Sequence, residues 1–143
     1  MDITEAIETG VEAAVAADTG SGGLRNATGD QYLLGNIKRA GHPDVSDTPP
    51  FMRYTIVPRN QGMDNMAQAA QVRVRFDLFS QRDLKFTKPN AIMDRLVTVL
   101  RTGTFTATGW NFSRPEVLRS PYFRGTDANL LIHALDALFS VNA

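Results

Sequence analysis

The residues able to do chemistry are few, and their spacing argues against an enzyme. None of the 143 residues is a cysteine, which removes thiolate catalysis, disulfides and the strongest zinc ligands. The two histidines stand apart: His42 precedes Pro43 in a turn-like stretch, and His133 lies in an apolar run. Neither has a companion at the spacing of a His-Glu-x-x-His helix. A satisfied structural histidine or an exposed loop residue is the expectation for both. Asp44 and Asp47 are close enough in sequence to pair as acid and base, but they lie among prolines, where solvated turn aspartates are usual. The glycine-rich Gly20-Ser21-Gly22-Gly23 follows no strand and opens no capped helix, so it reads as a connector and not as a phosphate loop. There is no Gly-x-Ser-x-Gly elbow. The expectation is a protein without catalytic residues, cofactor or metal.

What remains is charge and adaptable apolar contact. Arg53, Arg73 and Arg75 alternate with apolar residues in two strand-like segments and fall on their polar faces. Solvated strand arginines are the ordinary reading. The functional readings are a surface for DNA and a surface for a neighbouring subunit. Fifteen basic and fifteen acidic residues cancel, whereas a nucleic-acid binder draws its affinity from counterion release and shows a basic excess. Of the two, subunit contact is favoured, because arginine suits interfaces. Arg59, Met63 and Met66 belong to a polar loop over 58–69. Its methionines offer either an adaptable contact to a partner or a loop tip folded back on its own domain.

These side chains must be positioned by a small set of elements. Ile3, Ile7, Val11 and Val15 recur every four residues and predict a helix, with Asp2 as its cap and Glu5 reaching back in a capping box. Its apolar stripe packs on a sheet in the ordinary reading and docks on a neighbouring subunit in the functional one. Gly10 weakens this helix by about 1 kcal/mol relative to alanine. Residues 24–50 are apolar islands among glycine and asparagine, with room for one or two short strands around 31–38 and a loop over 41–50. Phe51–Val57 reads as a strand bounded by prolines. Gln71–Ser80 reads as a strand with Val72, Val74, Phe76 and Leu78 on one face and Arg73, Arg75 and Asp77 on the other. An antiparallel hairpin is the economical pairing. Thr87 caps a second helix with Pro89 at its first position, Ile92, Met93, Leu96, Val99 and Leu100 as its stripe, and Gly103 just past its end. Thr104–Thr108 suggests a short strand. Trp110–Ser120, with Pro115 and the following Pro121, allows only a broken or edge strand. Residues 130–141 are ambiguous: Leu131, Leu135 and Leu138 have helical spacing, yet apolar residues occur all round, as in a strand buried on both faces.

The expected fold class is α+β, a mostly antiparallel sheet with the N-terminal helix and the second helix (about 89–101) packed on it. The length suits one domain over residues 1–143. No apolar run approaches the ~20 residues of a membrane span. No secretory signal is expected, so a soluble protein made in the cytoplasm is.

The order of elements carries a likeness. An amphipathic helix and a glycine-containing loop precede a proline-led strand, Pro49-Pro50-Phe51-Met52-Arg53-Tyr54-Thr55-Ile56-Val57. An alternating strand follows, Val72-Arg73-Val74-Arg75-Phe76-Asp77-Leu78-Phe79, and then a helix and a C-terminal strand region. In this the chain resembles the tail-terminator (tail-completion) proteins of long-tailed bacteriophages. The resemblance implies a homo-oligomeric ring, commonly a hexamer. The ring caps the head-proximal end of the tail tube, ends its polymerisation and meets the head-side connector. It implies assembly in the host cytoplasm, residence in the virion, no membrane, and DNA at most passing through the lumen. It also implies an antiparallel or mixed sheet whose last segment is a strand, which favours strand over helix for 130–141. Reversing the charges of Arg73 and Arg75 is then expected to impair assembly and spare the fold. The alternatives are a head–tail connector or stopper of the neck, and a small non-viral α+β enzyme or binding module on the same scaffold.

Overall fold

The computed structural model describes residues 2–25, 37–40, 50–58, 69–81, 87–127 and 130–142. Helix α1 (Ile3–Ala16) starts where its capping box directs: the Asp2 carboxylate accepts from the Glu5 amide at 2.8 Å, and the Asp2 amide donates to Glu5 Oε2 at 3.0 Å. Its stripe of Ile7, Val11 and Val15 is buried in the core, so it packs on its own sheet. Gly10 has a purpose that its sequence position did not reveal. A Cβ there would lie 2.7 Å from the tip of the Phe112 ring, so the missing side chain admits that ring against the helix.

Strand β1 (Ile37–Arg39) runs parallel to β2 (Phe51–Pro58), and β2 pairs antiparallel with β3 (Ala69–Gln81). Helix α2 (Thr87–Thr102) follows, then β4 (Asn111–Phe112), β5 (Glu116–Asp127) and β6 (Leu130–Asn142). The order is β1-β2-β3-β6-β4, with β5 also pairing β6. Among the described residues the fold is thus α+β with two helices, but the sheet is mixed where a mostly antiparallel one was expected. The difference arises at β1, which reaches the β2 edge in the same direction as its neighbour.

The hairpin β2/β3 forms as its alternation predicts. Met52 and Tyr54 face Leu78 and Phe76, and Val72, Val74, Phe76 and Leu78 are at most 1% exposed. Both helices bury their stripes against this same face, since Ile7, Val11, Ile92, Leu96 and Leu100 share one cluster with it. α2 begins at Thr87, which makes Pro89 its third residue and not its first. Any of the first four amides lacks an intrahelical acceptor, so the proline is tolerated there equally well. Thr87 is thus the first helical residue, one place inside the cap position that its sequence suggested.

The C-terminal ambiguity resolves as strand. β6 lies between β3 on one side and β5 with β4 on the other, and Leu131 and His133–Phe139 are buried without a break. Burial on both faces erases the alternation a half-exposed strand would show. Thr104–Thr108 is not a strand: Ala107 and Trp110 make one isolated bridge around Gly109, whose φ of +82° suits glycine. β5 passes through Pro121 as an irregular strand, with register shifts at Val117/Arg119, Arg119/Tyr122 and Phe123/Gly125. No helix among the described residues is long and apolar enough to cross a membrane.

Candidate functional site

The hairpin register decides where the arginines go. Arg53 stands opposite Asp77, Arg75 opposite Thr55, and Arg73 opposite Val57. All three occupy the face turned away from the helices, staggered along the ribbon. On the other side of β3, Arg75 faces Asp136 and Arg73 faces Leu138. These neighbours give the three guanidinium groups different duties.

Arg75 is tied within its own subunit. Its Nε donates to Asp136 Oδ1 at 3.2 Å, and the Asp136 side chain is 2% exposed against 40% for Arg75. The hydrogen bond that Arg75 donates to Asp136 raises the Arg75 pKa; burial opposes this, while the charges of Asp136, Tyr122 and Asp77 add to it. Removing one member of such a pair leaves a desolvated charge behind. That contact changes what charge reversal at Arg75 tests, because the fold suffers together with any assembly defect. Arg53 lies along the base of the ribbon, its guanidinium 5.0 Å from the Phe51 ring centroid and donating to the Met52 carbonyl at 2.9 Å. Phe51 in turn stacks on Phe79 at 4.9 Å. Arg73 is exposed near the far end, beside Val57, which is 44% exposed. A shallow groove of about 250 Å³ runs among Thr55, Val57, Arg73, Arg75 and Asp77.

The Asp136 carboxylate is buried beneath the Arg75 guanidinium that it accepts from, and Asp77 is buried on the same face opposite Arg53. Among the described residues no group of three or more His, Asp or Glu side chains is placed to hold a metal. His133 sits in β6 opposite Leu78, and burial lowers its pKa from 6.5. The unfolded chain therefore takes up a proton below pH 6.5 that the folded chain refuses. Stability contributed by this site is present above pH 6.5 and lost as pH falls through the lowered folded value. Urea midpoints are expected to decline from pH 7.5 to pH 5, and His133→Leu to flatten that decline; an unchanged slope in the variant would remove His133 as its source. Tyr54 is buried as well. Burial, then the nearby charges of Glu12 and Glu8, push its phenol above the ordinary range and keep it neutral.

Arg59, Met63 and Met66, with His42, Asp44, Asp47 and the loops they occupy, lie outside the described residues. Sequence reasoning missed Asp136 and Tyr122 as companions of Arg75. A signal existed for the first: a carboxylate interrupting an otherwise apolar run needs a partner if the run is buried. Comparison with protein families and with curated proteins found no family model and no relative that matches this chain.

Proposed function

We propose that this chain is a structural subunit of a phage-type tail terminator. It forms a ring, with the six-fold stoichiometry common to such proteins, at the head-proximal end of the tail tube. There it ends tube polymerisation and joins the tail to the head-side connector. Its place is the neck of the virion, reached by assembly in the host cytoplasm, with DNA at most threading the lumen. The observation that carries this reading is the two-sided character of the sheet. One face is sealed by both helices, and the other leaves Thr55, Val57 and Arg73 of the hairpin to solvent. A heterologous contact that closes on itself makes a ring and halts further addition, and a subunit of this kind needs one such open face.

Electron microscopy of particles assembled without the protein tests the reading. Overlong or headless tails are expected. Tails of normal length that fail only to join heads would transfer the chain to the connector or stopper role. Normal, head-bearing particles would remove it from the neck altogether.

A further inference from the structure

The neutral total conceals a separation of charge. Asp2, Glu5, Glu8, Glu12 and Asp18 all fall within the first 24 residues, which contain no lysine or arginine; the remaining residues carry ten acids against fifteen bases. In the fold this becomes a separation between layers. α1 turns Ile7, Val11 and Val15 inward and leaves Asp2, Glu5, Glu12 and Ala16 exposed on the opposite stripe, with Thr9 between them. The hairpin presents guanidinium groups on the far side of the sheet, above carboxylates that are themselves buried.

We propose that the outward face of the β2/β3 hairpin, at the groove beside Arg73 and Val57, docks the acidic solvent stripe of α1 from a second copy of this chain. The inference rests on the ring reading above and names the two surfaces that would meet. Charge complementarity selects the occupant. Arg73 is exposed beside an apolar Val57, and the matching acids lie on the layer facing the other way. Dimensions agree as well: the 14 residues of α1 span about 21 Å, and the eight residues of β2 span about 26 Å. Because the two surfaces lie on opposite layers of one subunit, the contact is head-to-tail. Each copy uses both surfaces, and each contact is the same.

A mixing experiment on the full chain separates this contact from others. Arg73→Glu and Glu12→Lys each place like charges at the junction and are expected to weaken self-association about tenfold or more in low salt, as read by sedimentation velocity. Thr9→Lys alters the same stripe while keeping every contact of Glu12. Circular dichroism melts check that each variant folds. An equimolar mixture of Arg73→Glu and Glu12→Lys is expected to recover assembly, because alternating copies then match at every junction. Added salt should weaken the wild type as it screens the contact. Variants that assemble like the wild type, or a mixture that stays dispersed, would overturn this contact while leaving a ring built through other surfaces intact. A wild-type chain that stays monomeric both in solution and on tail tubes would overturn the contact and the ring together.

Discussion

Phe139→Ala is expected to destabilise the protein by about 3–5 kcal/mol, the range for truncating a fully buried aromatic residue. Phe139 has no exposed surface and lies on β6, opposite Val72 of β3. Its ring meets Phe105 edge-on at 5.3 Å, and Phe105 in turn lies 6.3 Å from Phe112. Truncation therefore opens a void where the central strand, the segment after α2 and β4 meet, and neighbours anchored in a sheet cannot collapse to fill it. Urea unfolding measures the loss. Val57→Ala provides the contrast: its side chain is 44% exposed, and the expected change is within about 0.5 kcal/mol. Similar costs for the two variants would contradict the assignment of Phe139 to the core.

Arg95→Ala is expected to cost about 3 kcal/mol near pH 7, because it strands a desolvated carboxylate. The Asp18 side chain is 8% exposed and accepts from Nε and Nη2 along one edge of the Arg95 guanidinium, with Nε at 3.0 Å from Oδ2; it also accepts from the Leu24 amide at 2.8 Å. The contact fastens the turn after α1 to the middle of α2. Burial alone would raise the Asp18 pKa. The hydrogen bonds from Arg95 and Leu24, together with the Arg95 charge, outweigh it and leave the pKa below 3.8. The folded value is thus depressed, so the stabilisation is present above pH 3.8 and lost as pH falls through the folded value. In Arg95→Ala burial acts unopposed and the Asp18 pKa rises. The difference between variant and wild type should therefore shrink as pH is lowered towards 4. A difference that does not vary with pH would show that Arg95 contributes through packing and not through Asp18.

Local patterns made part of this legible. The Ile3–Val15 repeat, the Asp2/Glu5 box and the alternation over 71–80 each specify an element within a few residues, because helix and half-buried strand impose their periods on the sequence. The outward placement of Arg53, Arg73 and Arg75 follows from the same alternation. What stayed hidden was set by distant residues. Leu131, Leu135 and Leu138 match a helical spacing only because β6 is buried on both faces and every position there can be apolar. Asp136 sits 61 residues from Arg75 and Asp18 sits 77 from Arg95, so no local window contains either pair. The parallel entry of β1 depends on how the chain returns to the β2 edge, which three residues cannot encode. Thr104–Thr108 alternated without a neighbour to pair with.

The irregular path of β5 bears on how such a subunit avoids the wrong associations. A straight, open strand at a sheet border is a template for any extended peptide, and a protein held at high local concentration with its own copies is at special hazard. Pro121 withholds an amide, and the three register shifts along β5 break the regular spacing that an incoming strand would need. At the opposite border, β1 spans three residues among those described. Blunted along β5, the sheet border there discourages fibril-like growth, and any association of copies is left to the slower and more selective matching of surfaces.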